Sequence, residues 1–219
     1  MTAERLIGTL IASFVGLLAL VRAKRSAAFD LAMTLRLQAW QQPWLADIMR
    51  LASWPGFPPQ SRMIPPAVMA AWWATGHRRA AGFQLASWGG AALSTWIKAF
   101  MHRPRPLPPE VKVVVAPLGG SSFPSGHVLT YVAFYGFLGF LLSEHLRDGA
   151  LRNASVTTLT GLLALVGPSR IQQGHHWTTD VVASYLLGLA YLLTLIQLYH
   201  LTQPRSIVER AVGRRLRFR

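Results

Sequence analysis

The stretch Thr179–Leu201, TDVVASYLLGLAYLLTLIQLYHL, holds one charged side chain, Asp180, in 23 residues. A helix rises about 1.5 Å per residue and the apolar core of a bilayer is about 30 Å thick, so this run is long enough to cross it as a helix. At the other end of the chain, Leu6–Val21 is uncharged and apolar, a shorter span of the same kind. Arg22, Lys24 and Arg25 follow it directly. A cleaved signal peptide is the competing reading, and basic residues immediately after the apolar core argue for a retained span.

Composition agrees with these two runs. Of 219 residues, 52% are hydrophobic and 14% charged, against roughly 25% charged in an average soluble domain. That excludes intrinsic disorder and leaves too little polar surface for an ordinary soluble globule. The chain has no cysteine, which excludes disulfide scaffolds, thiolate zinc sites and a cysteine nucleophile. The formal charge is +14. In a membrane protein such an excess meets anionic lipid headgroups or anionic substrates. No zinc-finger spacing, RNA-binding motif or basic-zipper heptad accompanies it, so no nucleic-acid partner is expected.

Between the two end spans the sequence reads as four more. The expected fold is all-α, one membrane-embedded domain over 1–219, a six-span bundle with spans near 6–22, 60–77, 80–98, 124–142, 154–169 and 179–201 and a basic tail over 203–219. The third span carries Gly82, Ala86, Gly89, Gly90, Ala91 and Ala92, small residues that let membrane helices approach closely. Pro65 and Pro66 fit the first turns of the second span better than its middle. Between the first and second spans, Phe29, Met33, Leu37, Trp40, Trp44, Ile48 and Leu51 recur at spacings of four and three. With Pro43 as a break, this predicts two short helices lying in the interface, or else packed on the bundle by their apolar stripe. Six spans put both termini on one side. If that side is cytoplasmic, eleven basic residues lie on each face, and eleven against eight once Lys98, Arg105 and Arg170 are set apart. The rule that basic loops stay inside then leans weakly to cytoplasmic termini.

Three patches fall at the opposite face: Lys98 to Arg105-Pro106, then Pro124-Ser125-Gly126-His127, then Ser169-Arg170 to His176 and Asp180. Lys98, Arg105 and Arg170 are three cations suited to phosphate oxygens. Ser125 and Gly126 open a helix whose free N–H groups favour an anion. His127 and His176 supply two imidazoles, a group that ordinarily titrates near neutrality. Asp180 lies one helical turn after His176, where a carboxylate fixes an imidazole's tautomer. Together these residues make a site for breaking a phosphate ester. A metal set could be read from His127, His175, His176 and Asp180, but the three cations repel a divalent ion, so no metal and no cofactor is expected.

The pattern Lys98-x6-Arg105-Pro106, Pro124-Ser125-Gly126-His127, Ser169-Arg170-x5-His176-x3-Asp180 resembles the three-part signature of the type 2 phosphatidic acid phosphatase superfamily, over roughly residues 60–200. The resemblance implies a metal-independent integral membrane lipid phosphatase. His176 would be the nucleophile that forms a phosphohistidine, Asp180 would orient it, and His127 would protonate the leaving oxygen. Lys98, Arg105 and Arg170 would hold the phosphate, helped by Ser125 and the Gly126 N–H. The substrate would be a lipid phosphate such as undecaprenyl pyrophosphate, phosphatidylglycerol phosphate or phosphatidic acid. It also implies an inner-membrane protein among anionic lipids, with cytoplasmic termini and the site on the periplasmic or extracellular face. A bell-shaped pH profile is expected, with His176 neutral and His127 protonated at the optimum.

Some readings stay open at this point. His175 is the nucleophile if the register slips by one, though both spacings favour His176. His102, Arg103 and Lys112 either meet a second phosphate or headgroup or form a solvated loop face. The rival functions are a phosphotransferase with the same site, a soluble vanadium-haloperoxidase relative, and an anionic-lipid transporter.

Overall fold

The computed structural model describes residues 2–114 and 119–203. All regular elements among these are helical: α1 (Ala3–Arg22), α2 (Ala27–Gln38), α3 (Pro43–Ser53), α4 (Gln60–Ala74), α5 (Arg78–Met101), α6 (Gly126–His145), α7 (Gly149–Gln172) and α8 (Thr178–Leu201). Helices α1, α6 and α8 are long and apolar enough to cross a membrane. Apart from Gln203, the basic tail lies outside the described residues.

The two helices expected in the interface form, and Pro43 starts the second of them. Most of their apolar stripe faces away from the bundle, although Leu37 packs against the core and Met33 is half-buried. Phe29, Trp40, Trp44 and Leu51 are each at least half exposed, while Asp30, Thr34 and Gln38 on the other side of α2 are buried. Bilayer logic accounts for the inversion, because polar side chains in an apolar medium must find partners inside the protein. Gln38 shows the partners: its amide nitrogen donates to the carbonyls of Lys112 and Gln172 at 2.7 and 3.1 Å, and its oxygen accepts from the Lys112 N–H at 3.0 Å. Helix α5 follows the same rule, with Gln84, Ser87 and Ser94 buried and Leu85, Trp96 and Phe100 turned outward.

Of the small residues on α5, Gly90 has the clearest packing role: a Cβ there would sit 2.9 Å from Leu129 and 3.0 Å from Ala133 of α6. Gly82 has open space around it and contributes no such contact. Helix α6 widens into a π-helical turn at Tyr131–Tyr135, and the Phe134 carbonyl accepts from the Gln84 amide at 3.0 Å. Its core face, Val132, Phe134, Phe137 and Leu141, is fully buried against α7 and α8.

The helix that holds the fifth expected span, 154–169, extends past it at both ends: α7 runs from Gly149 to Gln172 and contains Pro168. Proline removes the N–H that would reach the Ala164 carbonyl. The hydroxyl of Tyr185 on α8 sits at the break, 3.5 Å from the Ala164 oxygen, and bridges the neighbouring pair, accepting from the Gly167 N–H at 3.1 Å and donating to the Leu163 carbonyl at 2.6 Å. Arg170 therefore stands on the last turn of a helix and not in a loop. Pro65 and Pro66 lie in the second turn of α4.

Candidate active site

The C-termini of α5 and α7 and the N-termini of α6 and α8 meet at one end of the bundle, which brings the three sequence patches together. Asp180 is the third residue of α8, and its Oδ2 accepts the Trp177 N–H at 2.9 Å, closing the helix start. The same oxygen lies 3.6 Å from His176 Nδ1. The shorter contact of that nitrogen is to a backbone oxygen: Nδ1 donates to the Ser122 carbonyl at 2.7 Å. Both acceptors demand the proton on Nδ1, which leaves Nε2 with its lone pair. Arg105 Nη1 lies 3.4 Å from that Nε2 and donates to the His175 carbonyl at 2.8 Å. Burial pushes the His176 imidazole down to about 4, against the opposing pull of Asp180.

His175 is placed differently. Arg170 Nη1 donates to its Nδ1 at 3.1 Å, so the proton sits on Nε2 and no carboxylate faces the ring. Burial and then the Arg170 charge hold its imidazole down to about 3. Arg170 is fully buried. Its Nη2 donates to the Gln173 side-chain oxygen at 2.5 Å, and the Gln173 amide donates onward to the Met49 carbonyl at 3.1 Å. Ser169 ties the same turn to α3 through its hydroxyl contact with Ser53 at 2.6 Å. The Phe57 ring lies 4.9 Å from both the Arg170 guanidinium and the His127 ring.

His127 sits in the first turn of α6, in the field of Arg170, His176, His175 and Lys98, and its Nε2 is buried without a partner. A Cβ on Gly56 would come 2.3 Å from its Cδ2, so only glycine leaves room for the ring. The Ser125 hydroxyl, at the start of α6, is also buried and unpaired, as is that of Ser94 beside Gly126. Lys98 lines the same cavity as Gly126 and His127, a space of about 310 Å³ reaching past Trp88 to Phe134 and Tyr135 between α4, α5 and α6. The Lys98 charge faces Arg105 and Asp180.

The structure thus gathers Lys98, Arg105, Ser125, Gly126, His127, Arg170, His176 and Asp180 around one site. It corrects the reading of Arg103. That side chain neither meets a second phosphate nor lies on a solvated face: it bridges Asp180 Oδ1 at 2.5 Å and Asp30 Oδ2 at 2.6 Å. His102 is exposed in a left-handed conformation at the end of α5. The Lys112 backbone packs against Gly174, where φ is +71° and a Cβ would meet the Lys112 oxygen at 2.1 Å. Sequence reasoning passed over Asp30, Phe57, Ser122 and Gln173. They carry no signal of their own, because their partners lie far away in the chain.

This chain belongs to the PAP2 superfamily, whose sequence profile matches residues 80–204. It is a membrane protein. Phosphatidylglycerophosphatase B of Bacillus subtilis (strain 168) is 38% identical over 69 residues, 31% of this chain and 34% of that relative, so the match spans about a third of the relative's length. Among solved structures, a transmembrane PAP2-type phosphatidylglycerolphosphate phosphatase from Bacillus subtilis superposes with a TM-score of 0.81. That match covers 91% of this chain and 98% of the other at 22% identity, a likeness of fold.

Proposed function

We propose that this chain is an integral membrane lipid phosphatase that hydrolyses a phosphomonoester or pyrophosphate headgroup through a phosphohistidine on His176, without a metal. The observation that carries the reading is the pairing at His176. Nδ1 is held by Ser122 and Asp180, and Nε2 stands beside the Arg105 guanidinium. A phosphate held by Arg105, Lys98 and Arg170 presents its phosphorus to that lone pair. As the Nε2–P bond forms, the P–O bond to the lipid breaks and His127 gives its proton to the leaving oxygen. Water then attacks the phosphohistidine, His127 takes the water's proton, and the P–N bond breaks to free phosphate. The ring carries positive charge while phosphorylated, and Asp180 offsets it.

The lipid part of the substrate fits the cavity that leads from Lys98 and His127 to Trp88, Phe134 and Tyr135. Phosphatidylglycerol phosphate is the first substrate to test, on the names of the two Bacillus relatives. Undecaprenyl pyrophosphate and phosphatidic acid are the comparators. The topology that suits this chemistry is one domain of six spans, α1 and α4 to α8, with α2 and α3 in the outer interface. The site then faces the periplasm or exterior and the termini the cytoplasm. Because the chain has no cysteine, single cysteines at the outward-facing Trp44 and at Arg147 report each face cleanly with an impermeant thiol reagent.

The deciding experiment measures phosphate release from the three lipids by detergent-purified protein with a chelator present. Release lost in His176→Ala and retained in His175→Ala supports the reading. Release that needs a divalent ion overturns the metal-free site. Phosphoryl transfer only when an acceptor lipid or sugar is supplied identifies a phosphotransferase.

A further inference from the structure

Arg103 holds two carboxylates on one guanidinium. Nη2 meets Asp30 Oδ2 at 2.6 Å, and Nη1 meets Asp180 Oδ1 at 2.5 Å and the Thr179 hydroxyl at 2.8 Å. Asp30 in turn clamps the first turn of α8: its Oδ1 accepts the Thr179 N–H and its Oδ2 the Thr179 hydroxyl, both at 2.8 Å. Asp30 is 1% exposed and Asp180 fully buried. Each oxygen of Asp180 therefore has a fixed task. Oδ1 is taken by Arg103, while Oδ2 caps α8 and faces His176.

We propose that Asp30, acting through Arg103, is a positioning residue for the reaction, setting both the place and the net charge of the carboxylate that serves His176. Asp30 lies on α2, outside residues 80–204 that match the family. With Asp180 it gives the trio a net charge of minus one around Arg103. A lone Arg103–Asp180 pair would be neutral and would oppose less of the charge that grows on the His176 ring. The other groups facing His176 are cations or histidines: Lys98 from α5, His127 from α6, Arg105 from the loop after α5, and the adjacent His175. Arg22, Lys24, His102 and Glu110 line the cavity on the outer side of Arg103. The trio is thus the main negative charge at the nucleophile.

The inference rests on the reaction proposed above, and its test separates the two. The pH profiles of kcat and kcat/KM are measured for wild type, Asp30→Asn, Arg103→Gln and the double variant, with His176→Ala alongside. Formal charge on the trio becomes zero in Asp30→Asn, minus two in Arg103→Gln and minus one again in the double variant. Asp30→Asn is expected to lower kcat about tenfold, with KM little changed because the phosphate cations are untouched, and to move the acidic limb down by about one pH unit. Arg103→Gln moves that limb up by a similar amount, and the double variant returns it toward wild type. A purely structural role would lower activity with the limb in place and would make the double variant worst. Either result overturns the proposal. Size-exclusion chromatography in detergent identifies folded protein. If Asp30→Asn does not fold, the step from Arg103→Gln to the double variant carries the same comparison. Phosphate release by His176→Ala would sink the reaction itself. A dead His176→Ala with an unmoved limb sinks only the role of Asp30.

Discussion

His176 Nδ1 is closer to the carbonyl of Ser122, at 2.7 Å, than to the Asp180 carboxylate, at 3.6 Å. A backbone oxygen cannot change its protonation state, so the ring keeps its tautomer even when the carboxylate is altered. In a Ser-His-Asp triad, turning the Asp into Asn costs about 10⁴ in kcat, largely by selecting the wrong tautomer. Here Asp180→Asn is expected to lower kcat by only about 10²-fold, the part due to lost charge. A loss as deep as that of His176→Ala, in steady-state assays of folded protein, would show that Ser122 does not hold the ring.

Arg105 donates to the carbonyls of His175, Gly119 and Ser121 while lying beside His176 Nε2. A lysine keeps the charge but cannot make this fan of bonds. Arg105→Lys should therefore reduce kcat/KM by about 10- to 100-fold. Equal activity in the two proteins would mean that charge alone suffices there.

Gly174 turns the chain between Arg170 and the histidine pair with a positive φ, and its neighbour is a carbonyl oxygen that cannot move aside cheaply. Gly174→Ala is expected to cost about 1–3 kcal/mol. For a chain of this size that lowers Tm by about 2–12 °C in a detergent melt. An unchanged melt would place the loop differently.

Both loop histidines are held neutral by burial, His176 with a folded value of about 4 and His175 of about 3. Unfolded histidine titrates near 6.5. Between these values the unfolded chain binds protons that the folded one refuses. Stability should therefore fall as pH drops from about 6.5 toward 4, and continue to fall toward 3 through His175. Melts across that range check it, and a His175→Asn variant should flatten part of the slope. The acidic limb of kcat/KM should likewise lie below the ordinary histidine range.

The residues of the three patches were legible because each patch is short, its spacing is fixed, and alternating helices bring the C-termini of α5 and α7 to the N-termini of α6 and α8. The brace behind them was not. Asp30 looks like any acidic residue on the polar face of an amphipathic helix, and it reaches Thr179 across 149 positions. Gln173 and Phe57 are equally ordinary until Arg170 lies between them. The stripe of Phe29, Trp40 and Trp44 gave the periodicity of α2 and α3, but not whether its face met protein or lipid, because periodicity is blind to the solvent. Nor does the sequence show the Tyr185 hydroxyl that lies beside Pro168, where α7 runs on to Gln172.

The family profile begins at Ala80, and every signature side chain lies beyond that point. The groups that aim several of them lie before it: Asp30 on Thr179 and Arg103, Met49 and Ser53 on the Gln173 that grips Arg170, and Gly56 against His127. A chimera that grafted residues 80–204 onto another N-terminal half would inherit the alphabet of the site without its grammar. Transplanting the activity would require α2, α3 and the turn after them to travel with it.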